Sequence, residues 1–292
     1  MSDASKSVFG ISVSGGGMLG IGPVHYMQRL EVMLGKKLSK LAYAFSGTST
    51  GSIISAGLAN GMSSLDIYDL YNKNLKKIFT EFSTIKKLTR KGCAKYDNSY
   101  LKSILKQYFK GKMSSAKKPI FIPTVIRNIP NQEKVFDIWD KDIDQWFAIL
   151  ASCSAPTYFD SVELNGKWYS DGGLWLNNPV TALGAGVVKK CGLKPSQFRI
   201  LSFDTGMTKS NSQYTGNTNT LNTAIEILDC WVAHSGQGQC FIASAYHDVK
   251  TLSPTMKKEI KMDAVSKKDD VVEIWDKYFE ATGEQVAAWI EM

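Results

Sequence analysis

Short apolar runs alternate along this chain with stretches whose apolar residues recur at helical spacing. Val8-Phe9-Gly10-Ile11-Ser12-Val13 reads as a strand. It is followed by a helical pattern from Pro23 to Leu34, with the proline in the first turn, where it is tolerated. The pattern goes on as strand 41–46, helix 50–61 and helix 64–79, then strand 119–126 with a hairpin partner near 134–139. Helix 143–152, strand 161–169, helix 179–190 and strand 198–203 follow, and Asp270 to Phe279 predicts a covering helix. Strands alternating with helices through glycine-rich turns predict an α/β fold of three layers, a mostly parallel central sheet with helices on both faces. With 292 residues, 43% of them apolar, the chain can bury one large core or two modest ones. We expect a single domain over 1–292, with a basic helical insert over about 73–118 and C-terminal covering helices over about 219–292. Met207 to Thr220, rich in Ser, Asn, Thr and Gly, reads as the most flexible stretch.

The apolar run Leu41-Ala42-Tyr43-Ala44-Phe45 leads into Gly47-Thr48-Ser49-Thr50-Gly51, and Ser52 to Ala59 then reads as a short buried helix. Strand, tight turn and helix around G-x-S-x-G form the setting of a nucleophile elbow, in which Gly47 and Gly51 let strand and helix approach closely around a strained serine. The helix starting there aims free N–H groups and a partial positive charge at the serine oxygen. Five residues with three fixed recur by chance, so a Gly/Ser loop capping a helix stays open on this pattern alone.

Ser14-Gly15-Gly16-Gly17-Met18-Leu19-Gly20 follows the first strand and opens a helix. Such a turn points several backbone N–H groups at one place, which suits an anion or an oxyanion. Gly15, Gly17 and Gly20 also satisfy G-x-G-x-x-G, but a dinucleotide site needs an acidic residue roughly 20 positions on. No Asp or Glu occurs between Val32 and Leu65, and no Gly-Lys-Ser/Thr follows the glycines to make a P-loop. Further on, Trp168-Tyr169-Ser170-Asp171-Gly172-Gly173 ends a strand-like run in a turn, and Asn177-Asn178-Pro179 precedes a helix. Asp171 either closes that turn or brings a carboxylate to the serine.

Taken together in this order, Gly15-Gly16-Gly17-x-x-Gly20, Gly47-Thr48-Ser49-Thr50-Gly51, Ser154-Ala155-Pro156-Thr157-Tyr158-Phe159 and Asp171-Gly172-Gly173 with Asn177-Asn178-Pro179 resemble the patatin-like phospholipase family. The likeness covers roughly residues 7–206, ending at Ile200-Leu201-Ser202-Phe203-Asp204-Thr205-Gly206. It implies a patatin-like fold and a Ser–Asp dyad carried by Ser49 and Asp171. It also implies an oxyanion hole in the glycine loop Gly15, Gly16 and Gly17, to which we add Thr50. The chain departs from the family at Leu19, where a basic residue is usual. Family members serve nutrition, lipid turnover, host-cell attack and, in some bacteria, cyclic-nucleotide-triggered antiviral defence that degrades the cell's own membrane.

A Ser-His-Asp triad in α/β-hydrolase order would need a histidine downstream of the acid. Of the three histidines, His25 precedes the serine, and His234 and His247 have no distinctive setting, so the dyad is the better reading. Five scattered cysteines, Cys93, Cys153, Cys191, Cys230 and Cys240, show no C-x-x-C pair, fit a reducing compartment and offer no zinc site. The N-terminus lacks an apolar signal region and no apolar run reaches the ~18 residues of a span, so a cytosolic protein peripheral to the membrane is expected.

Charge is uneven. Between Lys73 and Lys118 there are 14 Lys/Arg against Glu81 and Asp97, +12 in a chain whose net charge is +8, so the remainder carries −4. Aromatic and aliphatic residues, from Ile78 and Phe79 to Tyr108 and Phe109, interleave these charges. The stretch reads as a basic amphipathic segment for an anionic membrane surface, or as a solvated helical face with its apolar side in the core. No recognition module accompanies the charge, so nucleic acid is not expected as a partner. The sequence is read as a serine lipid acyl hydrolase of phospholipase A type, acting on phospholipid without metal or organic cofactor. A soluble carboxylesterase or thioesterase is the alternative, and a non-catalytic lipid-binding module a more distant one.

Overall fold

The computed structural model describes residues 7–81, 94–130, 132–208 and 236–292. The strands are β1 (Val8–Val13), β2 (Ala44–Gly47), β3 (Ile120–Ile126), β4 (Gln132–Asp137), β5 (Val162–Leu164), β6 (Lys167–Asp171), β7 (Phe198–Phe203), β8 (Met207–Thr208), β9 (Val249–Leu252) and β10 (Thr255–Met256). Among the described residues, all but β8 and β10 join one sheet, ordered β5-β6-β3-β2-β1-β7-β9 with β4 on β3. Pairing is parallel from β3 through β2, β1 and β7 to β9, and antiparallel where β3 meets β4 and β6. The α/β architecture therefore stands.

Helices cover both faces. Phe45, Ile120, Ile122, Leu201 and Phe203 belong to one buried cluster with helices Ile21–Leu34, Thr50–Ala59, Ser64–Ile78, Gln145–Ser152 and Lys268–Glu291. Ala44, Phe121, Phe198 and Ile200 turn the other way, onto helix Val180–Cys191 and the helical residues 236–244. Because both faces are covered, β2 and β7 are buried throughout and lose the alternation of an exposed strand. The C-terminal helix docks on the first: Trp275 is fully buried where any Cβ on Gly22 would lie 2.0 Å from its ring.

One detail of the topology places the site. β4 lines β3 along Phe121–Ile126, which leaves the opposite edge of β3 to two strands. β2 runs parallel there beside Ile120 and Phe121, and β6 runs antiparallel beside Thr124 to Ile126. β2 and β6 thus share one lane and point at each other, so Gly47 and Asp171 end head to head.

Three elements differ from the sequence reading. The expected strand 161–169 is a hairpin, β5 and β6, turned at Asn165-Gly166 with φ of 52° and 76°, the left-handed pair that an Asn-Gly turn favours. Leu38–Leu41 forms a helical turn, and β2 begins only at Ala44, after Lys118 Nζ has capped the turn's Lys40 carbonyl at 2.7 Å. The C-terminal part is not helical throughout, because Val249–Leu252 adds a strand to the sheet edge beside β7. From residue 209 on, the stretch read as flexible lies outside the described residues.

Candidate active site

Ser49 sits two residues beyond β2 with φ 53° and ψ −125°, and helix Thr50–Ala59 starts directly after it. A non-glycine residue in such a conformation costs roughly 1–3 kcal/mol and persists only where the surroundings impose it. Two close approaches impose it here. A Cβ on Gly47 would lie 2.0 Å from the Gly51 carbonyl, and one on Gly51 would lie 2.1 Å from the Val13 carbonyl. Glycines two residues either side of the serine are therefore steric requirements. Ser52 Oγ donates to the Ser49 carbonyl at 2.6 Å and Tyr71 Oη donates to the Thr50 carbonyl at 2.8 Å, fixing the first helical turn.

Asp171 ends β6 and caps the short turn Gly172–Leu174. Its Oδ1 accepts the Gly173 N–H at 2.7 Å, and its Oδ2 is buried with no hydrogen-bond partner among the described residues. Burial pushes the carboxyl up from 3.8 to about 7, against the opposing pull of the Gly173 N–H and the nearby Ser49 hydroxyl. A carboxylate raised to that value can take a proton near neutrality, which an ordinary aspartate does poorly. The Asp171 loop is stapled to the elbow: Thr48 Oγ1 donates to the Leu176 carbonyl at 2.7 Å, and Ser46 Oγ to that of Pro179 at 3.1 Å.

The glycine loop lies against both. A Cβ on Gly15 would meet Asn177 Oδ1 at 2.5 Å and Ser49 Cβ at 3.1 Å. Gly17 has φ +58°, and a Cβ there would meet the Met262 carbonyl at 2.4 Å. That same carbonyl accepts the Met18 N–H at 2.8 Å, so Met262 braces the loop from outside. Of the expected oxyanion donors, the Gly15 N–H is already used, given to the Asn177 carbonyl at 3.1 Å. Those of Gly16, Gly17 and Thr50 bond to no backbone acceptor among the described residues. Gly20 packs on Thr50, with any Cβ 2.7 Å from its Oγ1, and Leu19 packs against the core. Asn177, present in the motif but given no role from sequence, thus positions the loop from both its backbone and its side chain.

The remaining candidates lie elsewhere. His25 Nε2 faces Asp276 Oδ1 of the C-terminal helix at 2.9 Å, and His247 Nδ1 faces the Pro195 and Phe198 carbonyls at the start of β7 at 3.2 and 3.1 Å. His234, Cys93 and Cys230 lie outside the described residues. In the basic stretch, helix Ser99–Tyr108 buries Leu101, Ile104 and Leu105 and leaves Lys102 and Lys106 outside, stacked over Trp146. Tyr96 and Phe109 are also buried, so these apolar residues belong to the core and do not form a membrane-inserting face. Phe82, Ile85, Lys86, Lys87, Leu88, Arg90 and Lys91 lie outside the described residues. Among the described residues, no helix is long and apolar enough to cross a membrane.

Residues 11–183 match the family profile described as patatin-like phospholipase. The chain is 27% identical over 187 residues to an intracellular phospholipase A2 of Caenorhabditis elegans, covering 59% of this chain and 16% of that protein. To a cGAMP-activated phospholipase of Pseudomonas aeruginosa it is 25% identical over 187 residues, 58% of this chain and 53% of the relative. Human calcium-independent phospholipase A2-gamma is 28% identical over 193 residues, 58% of this chain and 24% of its own. The chain thus spans about half or less of the length of these relatives. VipD from Legionella pneumophila shares the fold, with a TM-score of 0.50 at 11% identity, covering 94% of this chain and 68% of that one. With the profile spanning more than half of the sequence, and the glycine loop, the serine elbow and the Asp-Gly-Gly turn brought together around Ser49, the chain belongs to the patatin-like phospholipase family.

Proposed function

We propose that this chain is a serine lipid acyl hydrolase of phospholipase A type, cleaving fatty-acyl esters of membrane phospholipids through Ser49 and Asp171. The observation that carries the reading is a strained serine set beside a buried carboxylate whose pKa lies near 7 and whose Oδ2 has no hydrogen-bond partner among the described residues. Ser49 Oγ attacks the ester carbonyl carbon while its proton passes to Asp171 Oδ2. The carbonyl oxygen becomes an oxyanion, stabilised by N–H groups of Gly16, Gly17 and Thr50, each well-placed donor worth roughly 3–4 kcal/mol of barrier. Collapse breaks the ester bond, and the departing lysophospholipid oxygen takes the proton back from Asp171. Water, deprotonated by the same carboxylate, then attacks acyl-Ser49 and releases the fatty acid.

Phospholipid as substrate follows from the relatives, all phospholipases by name. Exposed lysines of the basic stretch would hold the enzyme on an anionic surface by charge, each near-surface cation worth roughly 1 kcal/mol. An alkyl fluorophosphonate tests the chemistry: it should label one residue, mapped by peptide mass to Ser49, and abolish ester hydrolysis. Label on another residue, or persisting hydrolysis after full labelling, would overturn the reading. Activity that fails to rise on vesicles over a monomeric ester would instead favour a soluble carboxylesterase.

A further inference from the structure

We propose that Ser152 is a positioning residue for the dyad: its hydroxyl holds the Ser49 amide and so keeps the nucleophile in register with Asp171. This deepens the hydrolase reading above and rests on it. Ser49, whose N–H no backbone carbonyl accepts among the described residues, donates it to Ser152 Oγ at 3.0 Å. A hydroxyl has one hydrogen to give and room to accept, and Ser152 spends its hydrogen on the Pro123 carbonyl at 2.7 Å. Pro123 belongs to β3, and its carbonyl lies 2.3 Å from where a Cβ on Gly172 would stand, directly behind the Asp171 turn. Two residues on, the Ser154 carbonyl accepts the Asp171 N–H at 3.0 Å.

The backbone amides of both dyad residues therefore hang from one three-residue segment, Ser152 to Ser154, at the end of the buried helix Gln145–Ser152. That segment acts as a gauge that fixes the two side chains relative to one another. Ser152 and Ser154 are at most 1% exposed, and Cys153 between them packs its Sγ 3.7 Å from Ser52 Oγ, so the segment has little freedom to shift. The Ser154 contact is made by a carbonyl and survives side-chain replacement. The Ser152 contact is made by a side chain and does not. A misplacement on the order of 1 Å in a reacting pair costs about a hundredfold in rate.

The test compares Ser152→Ala, Ser152→Thr and Ser55→Ala in the full chain, with kcat and KM on a monomeric ester, the rate of fluorophosphonate labelling of Ser49, and the melting temperature. Ser55 is another buried serine, donating to the Ser46 carbonyl at 2.6 Å, and controls for the loss of a buried hydroxyl. Ser152→Ala should lose kcat by roughly 10- to 100-fold at unchanged KM, with the labelling rate falling in parallel. Ser152→Thr, which keeps the hydroxyl, should recover most of the loss, and Ser55→Ala should keep kcat. A Ser152→Ala enzyme with wild-type kcat and labelling rate, or an equal kcat loss in Ser55→Ala, would overturn the proposal. If Ser152→Ala does not fold, Ser152→Cys retains the bulk but only a weak acceptor, and wild-type kcat there would equally overturn it. Ser49→Ala run alongside separates the two failures: activity surviving in Ser49→Ala removes the dyad itself, whereas a dead Ser49→Ala beside a fully active Ser152→Ala removes only the role of Ser152.

Discussion

Gly173 gives its N–H to Oδ1 of Asp171 at 2.7 Å, while Oδ2 of the same buried carboxyl has no hydrogen-bond partner among the described residues. The carboxyl is thus oriented but only half solvated by the protein. Burial raises its pKa against the pull of that bond, and the raised value suits the base role proposed for it.

That pKa sets a pH dependence. Only the deprotonated carboxyl can accept the Ser49 proton, so kcat/KM on a monomeric ester should rise with pH and be half-maximal near 7. Stability should move the other way. Folded Asp171 keeps its proton up to about 7 whereas the unfolded chain loses it near 3.8, so between these values the folded state binds more protons and becomes less stable as pH rises. Asp171→Asn removes the burden and should be more stable than wild type at pH 8 by up to roughly 4 kcal/mol, and indistinguishable below pH 4. Thermal melts of the two proteins across pH check both signs.

The glycine loop makes a second prediction. Gly17→Ala places a Cβ against the Met262 carbonyl at φ +58°, which strains the loop by roughly 1–2 kcal/mol and moves the Gly17 N–H. Loss of one oxyanion donor costs about 10²–10³ in kcat. Gly35→Ala, also at positive φ but with nothing near its Cβ, should show the stability loss without the loss of rate. Steady-state kinetics beside melting curves on both variants distinguish the two effects.

Much of this site was legible in sequence because its parts are local. An elbow, a glycine loop and an Asp-Gly-Gly turn each declare themselves within a few residues, and backbone geometry makes glycine obligatory at Gly47, Gly51 and Gly17. What could not be read were the ties between them. Ser49 meets Ser152 across 103 positions, and the Asn177 carbonyl removes Gly15 from the expected oxyanion donors across 162. β9 is four residues long and gains its place from the edge of β7, a property of the sheet and not of its own pattern. The apolar residues of Ser99–Tyr108 carry one periodicity whether they face a core or a lipid, so only packing could assign Leu101 and Leu105 to the interior.

Histidine should be dispensable for the chemical step. His25→Gln and His247→Gln remove contacts to Asp276 and to backbone carbonyls, and each should lower the melting temperature while keeping most of kcat. Replacement of His234 should also spare kcat. A loss beyond about 10³-fold at any of the three, with unchanged melting temperature, would reveal a triad.

Membrane docking by charge predicts a split between substrates. Reversing Lys86, Lys87, Arg90 and Lys91 to glutamate should lower activity on anionic vesicles, and added salt should do the same to wild type, since exposed charges are screened beyond about 8–10 Å at physiological ionic strength. Hydrolysis of a monomeric ester should hardly change. Equal losses on both substrates would remove the docking role.

Ser49 and Asp171 acting as one unit is most directly tested by profiling the lipids of phospholipid vesicles incubated with wild type, Ser49→Ala, Asp171→Asn and the double variant. Wild type should release free fatty acid and lysophospholipid in equal amounts, and the double variant should be hardly slower than either single variant, because residues of one catalytic unit are not additive. Release by Ser49→Ala at a rate near that of wild type would contradict the dyad.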